Sequence, residues 1–97
     1  MHKLTVQYFE PADGEAFLAD YRERHVPLVH AVPGVQRFTL MRPRGEGAPY
    51  LVAELWFVDG DAMKQGLSSP EMAAAAADAE TYDVARRAMF TGEVEAL

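Results

Sequence analysis

The segment Tyr50–Val58 constrains the fold most strongly, because it has the pattern of a β-strand with apolar side chains on both faces. One face carries Leu51, Ala53, Leu55 and Phe57, and the other carries Val52, Trp56 and Val58. A strand of this kind is normally covered on both sides. Since a single layer of helices covers only one side, we expect a second copy of this short chain to cover the other.

Three further segments alternate between apolar and polar residues and are predicted to be strands: His2–Phe9, Val35–Arg42 and Arg86–Val94. The segment Pro43–Pro49 is rich in glycine and proline and is expected to form the hairpin loop before the Tyr50–Val58 strand. Gly92 is a candidate for a bulge in the last strand.

Two helical regions are predicted between the strands. The first runs from about Gly14 to Val26, with Asp13 as its N-cap and a looser turn that reaches Ala31. The second contains a short helix capped by Asp59, followed by another that begins at Ser69-Pro70. An alanine run in this last helix favours helix formation and predicts close packing against its neighbours.

The predicted order is β-α-β-β-α-β, which is the ferredoxin-like arrangement of the α+β class. It gives a four-stranded antiparallel sheet with both helical regions on one face. The 97 residues are expected to form a single domain, 1–97. A homodimer that packs two open sheet faces together accounts for the apolar second face of the central strand.

Charge and composition exclude several classes of protein. The net charge of -6 argues against a nucleic-acid partner, because such binders cluster Lys and Arg. No apolar run approaches the ~20 residues of a membrane span, and the N-terminal residues alternate like a strand rather than forming a secretion signal. The chain has no cysteine, so it has no disulfide and no thiolate nucleophile. We expect a cytoplasmic protein that does not associate with membranes.

His25 is the principal candidate for chemistry. At about 100° per residue, a helix places it in one arc with Phe17, Tyr21 and Leu28, and Pro27 then tends to kink or end the helix. Phe17 and Leu28 are therefore candidates for substrate contacts. An imidazole that faces the core is either bonded there, for example to a backbone carbonyl, or kept for acid-base chemistry. The residues alone leave both alternatives open.

Aromatic residues supply the other candidates for a ligand site. Tyr21 lies one turn before His25 and would either orient a substrate oxygen or be a core aromatic whose hydroxyl reaches the rim. Four aromatic residues in strands would either line a pocket for a planar ligand or belong to the ordinary core: Phe38, Trp56, Phe57 and Phe90.

Polar residues in the strands and loops give no cofactor or metal site. Glu54 interrupts the apolar central strand, and we expect it either to pair with Arg37 or Arg87 or to act as a base. His25 and His30 lie five residues apart, whereas a helical metal pair has a spacing of four. The glycines of the hairpin loop lack the strand-to-helix context of a phosphate loop. No metal, nucleotide or flavin is therefore predicted.

Several motifs resemble the ethyl tert-butyl ether degradation (EthD) family. They are Pro11-x-Asp13, Phe17, Tyr21, His25-Val26-Pro27-Leu28, Pro33-Gly34, Leu67-Ser68-Ser69-Pro70-Glu71 and Gly92-Glu93-Val94. The likeness spans essentially the whole chain, and its most specific part lies in the first half. It implies a dimeric α/β barrel, in which two ferredoxin-like protomers pack sheet to sheet.

The resemblance also implies a function. EthD-like relatives suggest cofactor-independent isomerisation, dehydration or decarboxylation of a small hydrophobic cyclic or aromatic compound, with His25 as acid/base and Tyr21 assisting. A thiol-dependent version of this chemistry is excluded by the absence of cysteine. Two alternatives stay open: a small-molecule-binding or stress-related barrel without catalysis, and a cofactor-free monooxygenase of the antibiotic-biosynthesis type, from which the His-x-Pro-Leu segment points away.

Overall fold

In the computed structural model, which describes residues 1–97, four strands alternate with two helical regions. The strands are β1 (His2–Pro11), β2 (Arg37–Met41), β3 (Leu51–Phe57) and β4 (Val84–Glu93). The helical elements are α1 (Gly14–Asp20), a π-helical segment (Tyr21–His25), α2 (Val26–His30), α3 (Gly60–Leu67) and α4 (Pro70–Ala79). No helix combines the length and apolar character needed to cross a membrane. The ferredoxin-like α+β prediction is confirmed.

The strands form one antiparallel sheet in the order β2-β3-β1-β4. Strand β1 pairs with β3 on one side and with β4 on the other. The register between β1 and β4 is continuous, with Lys3 opposite Gly92 and His2 opposite Glu93. The predicted bulge at Gly92 is therefore wrong, because this glycine keeps the ordinary two-residue alternation of the strand.

The hydrophobic core lies between the sheet and the helices. The predicted inner face of β3 is confirmed, since all four of its side chains are buried: Leu51, Ala53, Leu55 and Phe57. They belong to two clusters, one with Leu4, Val29 and Val32 and the other with Tyr8, Phe17 and Tyr21. Burial of a large apolar side chain contributes roughly 1.5–3 kcal/mol, so these clusters hold the two layers together.

The opposite face of the sheet has no helix over it. The molecule is accordingly thin, measuring 36 × 33 × 17 Å along its principal axes. Val52 and Trp56 of β3 lie on this face, and Phe90 of β4 lies on it two strands away, beyond β1. Phe90 is 53% exposed whereas Val52 is 6% exposed, so the second apolar face that the sequence predicted is only partly covered in the single chain.

Glu54 lies on this open face and forms an ion pair with Lys3. The predicted pairing with Arg37 or Arg87 is wrong. Arg37 stacks over the ring of Trp56, 5.2 Å from its centroid. Arg87 is opposite Tyr8 in the register, which places it on the helix-covered side. The diagonal neighbour on β1 is therefore the cation that neutralises Glu54.

The helices begin where the sequence predicts. Asp13, Asp59 and Ser69 each accept a hydrogen bond from a backbone N–H in the first turn of the helix that follows, at 3.1, 2.8 and 3.1 Å. The first helical region is longer than expected, since Pro27 does not end it. Pro27 falls in the first turn of α2, where the missing N–H costs least.

We expect Gly66→Ala to destabilise the fold. An added Cβ would approach both the Phe57 ring and the carbonyl oxygen of Pro33 at 2.7 Å. Overpacking costs about 1–3 kcal/mol, and better helix propensity offsets up to about 1 kcal/mol of that. Chemical denaturation should show a lower free energy of unfolding. Gly92→Ala is the control, since its Cβ would meet nothing within 4 Å, and equal stability of the two variants would contradict the prediction.

Candidate functional site

A cavity of about 80 Å³ opens between the sheet and the helices, beside β4. Its lining is apolar apart from His25 and Arg87. The sheet contributes Leu4, Val6, Tyr8, Ala53, Leu55 and Met89, and the helices contribute mainly Tyr21, Val29, Met72, Ala75 and Ala79. On this measure a water molecule needs about 10–15 Å³. The cavity therefore has room for a small organic ligand.

The alanine run of α4 creates this space. Ala75 and Ala79 are buried against the cavity, and Ala76 also contributes to its lining. The predicted close approach of the helix to its neighbours is confirmed, because α4 contacts both α2 and the π-helical segment. The same small side chains leave the hollow beneath them unfilled.

The π-helical segment sets the direction of His25. In a regular α-helix, a step of four residues overshoots one turn by about 40°, so three steps from Phe17 to Val29 would drift by about 120°. A π-helical turn is wider, as the hydrogen bond from the Val26 N–H to the Tyr21 carbonyl shows. The wider turn cancels much of this angular drift, so side chains four residues apart stay on the face of the helix that packs on the sheet. Tyr21 and His25 are accordingly both buried, at 1% and 6% exposure.

His25 is held by a carboxylate. Its Nδ1 lies 3.1 Å from Oδ2 of Asp78, at the C-terminal end of α4. Asp78 also accepts hydrogen bonds from the Tyr82 hydroxyl at 2.6 Å and from Nε of Arg24 at 3.2 Å. Because an ionised carboxylate can only accept, Nδ1 carries the proton and Nε2 is the basic nitrogen. No protein group is hydrogen-bonded to Nε2.

The electrostatics keep the imidazole neutral and the carboxylate ionised. Burial lowers the pKa of His25, and the hydrogen bond and charge of Asp78 only partly offset this effect. Burial by itself would raise the pKa of Asp78. Hydrogen bonds from Tyr82, His25 and Arg24 outweigh it and hold the pKa of this carboxyl below its ordinary value. The pair is therefore a neutral base beside a fixed negative charge.

Two tyrosines line the cavity next to His25. The Tyr21 ring centroid lies 4.6 Å from that of His25, and Tyr8 packs edge-on against Tyr21 at 5.6 Å. Burial raises the pKa of Tyr8 to about 12 and raises the pKa of Tyr21 further above its ordinary value. A side-chain hydrogen bond between the two phenols adds to the rise in the pKa of Tyr21 and lowers the pKa of Tyr8, and both stay protonated at neutral pH.

Comparison with known proteins places this chain in a family. Residues 4–78 match the profile of the family described as antibiotic biosynthesis monooxygenase. The chain belongs to this family. A relative from Rhodococcus erythropolis, described as an uncharacterized 11.0 kDa protein in the thcB-thcC intergenic region, is 37% identical over 86 aligned positions, and the match covers 84% of each chain.

Solved structures of the same fold include an EthD family protein from Bacillus halodurans. It is 27% identical, has a TM-score of 0.89, and the match covers 98% of this chain and 99% of that one. The predicted EthD resemblance is confirmed. SnoaB from Streptomyces nogalater, a cofactor-independent oxygenase, is 18% identical with a TM-score of 0.74, covering 99% of this chain and 94% of that one. This second likeness shows the fold alone.

In this member of the monooxygenase family, His25 and Tyr21 are the predicted site residues that line the cavity. Phe17 and Leu28 do not line it. Phe17 packs behind the cavity wall against Tyr8 and Tyr21, with ring centroids 5.3 and 5.9 Å apart. Leu28 does not share the buried helix face with Tyr21 and His25. The wider turn brings Val29, rather than Leu28, onto the sheet.

The four strand aromatics do not converge on one pocket. Phe38 and Phe57 contribute to the core under the helices but do not line the cavity. Trp56 and Phe90 lie on the open face of the sheet. Adjacent residues of a strand point to opposite faces, so Trp56 and Phe57 cannot share a site.

Sequence reasoning missed Asp78, Tyr82, Tyr8 and the cavity position of Arg87. Asp78 is separated from His25 by 53 residues, so the sequence pattern around either residue does not predict their contact. One usable signal was the single carboxylate that ends an alanine run, followed four residues later by a tyrosine. Tyr82 lies in the turn after α4, and this turn brings its hydroxyl back to Asp78.

The stability of this protein should rise with pH across the range in which His25 titrates. The pKa of His25 is lower in the folded state than its unfolded value of about 6.5, so the unfolded chain binds more protons in this range. The contribution is fully present above about pH 6.5 and is lost as the pH falls towards the folded pKa.

Urea denaturation between about pH 5 and pH 7.5 measures this effect. In His25→Asn the slope of stability against pH should flatten. The exposed His30 lies on the same helical region, and His30→Asn is the control that should keep the slope. An unchanged slope in His25→Asn would contradict the assignment.

Proposed function

We propose that this protein is a cofactor-independent acid-base enzyme that isomerises or dehydrates a small hydrophobic cyclic or aromatic compound. His25 is its acid/base and Tyr21 assists. One observation carries the proposal: a neutral imidazole, oriented by the ionised Asp78, lines an apolar cavity with its Nε2 free. Perturbed titratable groups in a cavity are typical of catalytic sites.

The chemistry begins with removal of a proton. Nε2 of His25 accepts a proton from a substrate carbon next to a carbonyl group, and the electron pair of the broken C–H bond moves onto the carbonyl oxygen. The imidazolium that forms is stabilised by the negative charge of Asp78. The phenol of Tyr21 donates a hydrogen bond to the developing oxyanion and stabilises it.

The second step returns the proton. In an isomerisation, His25 delivers it to a different carbon, and the product has the same atoms as the substrate. In a dehydration, His25 protonates a leaving hydroxyl group, which departs as water while a double bond forms. Both outcomes restore the neutral imidazole and require no external oxidant or reductant.

The apolar lining supports this mechanism. Few polar groups compete for the charge that develops on the substrate, so the hydrogen bond from Tyr21 acts in a low-dielectric environment. The high pKa of Tyr21 keeps it a donor throughout the cycle. Acid-base catalysis contributes about 10²–10⁴-fold, and orientation by the cavity walls supplies more.

Turnover by matched variants tests the proposal. With cyclic lactones and polyketide-like phenols as substrates, His25→Asn should lower kcat by about 10²–10⁴-fold. Tyr21→Phe keeps the ring packing and should lower kcat less, and His30→Asn should leave it unchanged. Equal turnover by wild type and His25→Asn would remove His25 from the mechanism. A bound compound that is never converted would indicate a binding protein instead.

A second candidate function is cofactor-free oxygenation, which the family match and the activity of SnoaB favour. The same base would deprotonate a phenolic substrate, and the electron-rich phenolate would react with molecular oxygen to give a quinone and water. An oxygen electrode distinguishes the two functions. Oxygen consumption with quinone formation supports oxygenation, whereas full turnover under anaerobic conditions supports isomerisation or dehydration.

We also propose that a second copy of the chain covers the open face of the sheet. A stable interface buries about 800 Å² per partner, and a face of about 36 × 33 Å is large enough to supply it. Trp56, Phe90 and the exposed Met41 give this face its apolar character.

Light scattering measures the association. Phe90→Glu should convert the dimer to a monomer, because it places a charge in an apolar interface. Met89→Glu is the control, since Met89 is 65% exposed on the same strand but faces the helix side. A dimer that survives Phe90→Glu and dissociates in Met89→Glu would reverse the assignment of faces.

A further inference from the structure

Arg87 is the cationic side chain at the cavity. It is opposite Tyr8 in the register of β1 and β4, so it projects to the same side of the sheet as the helices. There it lines the cavity together with His25, and every other lining residue is apolar or aromatic. Met89, the next residue on this face of β4, is largely exposed, which places Arg87 at the open side of the cavity.

No carboxylate of the chain pairs with Arg87. The ion pairs of the structure join Lys3 to Glu54, and Arg24 and His25 to Asp78. Arg87 is exposed, so solvent rather than a carboxylate satisfies its guanidinium at the edge of the cavity. Asp78 already accepts hydrogen bonds from three other side chains, those of Arg24, His25 and Tyr82.

The other arginines near the sheet differ from Arg87. Arg42 donates to the Tyr50 carbonyl, and Arg86 stacks over the Phe9 ring at 3.7 Å on the opposite face. Their guanidinium groups therefore have protein partners. The guanidinium of Arg87 makes no such contact, and its five N–H donors are available to a ligand.

The positive charge of Arg87 affects the pKa of two residues that line the cavity. It lowers the pKa of Tyr8 and that of His25, although burial dominates both groups. A charge that acts on both side chains also acts on any ligand placed between them.

We propose that the substrate carries an anionic oxygen, and that Arg87 binds this oxygen at the mouth of the cavity while the apolar part of the substrate extends towards His25. This inference rests on the proposed function, since it names the substrate class of the same cavity. The planar fork of a guanidinium matches a carboxylate, and it also binds a phenolate or enolate oxygen. An anionic group at the mouth leaves the interior to a single apolar ring, as a volume of about 80 Å³ requires.

Binding of matched probes tests the inference without any turnover. Benzoate is compared with methyl benzoate, and 4-nitrophenolate with 4-nitroanisole, each by calorimetric titration at low salt. Wild type should bind at least one of the anions about tenfold more tightly than its neutral counterpart, which is about 1.4 kcal/mol. Arg87→Met should abolish this preference. Arg86→Met, which removes the neighbouring cation from the opposite face, should retain it.

The two pairs of probes distinguish the sources of the anion. A preference for benzoate alone assigns a carboxylate, a preference for 4-nitrophenolate alone assigns a phenolate or enolate, and a preference for both assigns charge as the feature recognised. The absence of any preference in wild type, or a preference that survives Arg87→Met, would overturn the inference.

The same titrations in His25→Asn separate this inference from the proposed function. The preference for the anion should persist in His25→Asn, since Arg87 is unchanged. Loss of turnover without loss of the preference supports both proposals. If His25→Asn keeps full turnover while Arg87→Met loses the preference, the catalytic assignment fails and the binding assignment stands.

Discussion

The central strand β3 has to bury apolar side chains on both faces, and the chain has helices for only one of them. Burial of its inner face against α1, α2 and α3 fixes the two-layer architecture. Its outer face, which carries Val52 and Trp56, has no helix over it. The thinness of the molecule, 17 Å in its shortest dimension, is the direct result. This asymmetry also determines where a ligand and where a partner would bind, because the two faces differ in what covers them.

The site depends on two departures from regular packing. The π-helical segment rotates the first helical region so that Tyr21 and His25 both point to the sheet. The alanines of α4 then fail to fill the space beneath them, which leaves a cavity against the imidazole. Asp78, near the C-terminal end of α4, connects this helix to the π-helical segment through its hydrogen bond with His25. A wide turn of this kind is frequent at functional sites, and here it has a definite geometric role.

Local features of the sequence predicted most of the fold. Alternation identified all four strands, and the side chains of Asp13, Asp59 and Ser69 identified the starts of the helices. Errors arose where distant residues decide the outcome. Pro27 was expected to kink or end the helix, yet it lies in a continuing one, because its missing donor falls where a wide turn gives way to α2. None of the six aromatic and aliphatic residues proposed for substrate contact lines the cavity, since apolar side chains of this kind also serve in the core or on the open face of the sheet.

The sequence by itself determined the strand faces, the helix caps, the fold class and the choice of His25, because each depends on spacing within a short segment. Only the tertiary structure decided that Asp78 orients His25, that Val29 replaces Leu28, and that Arg87 faces the cavity while Glu54 binds Lys3. These contacts join residues that are far apart in the chain. Their geometry depends on how the layers pack, and the pattern of a single segment carries no information about its neighbour across the sheet.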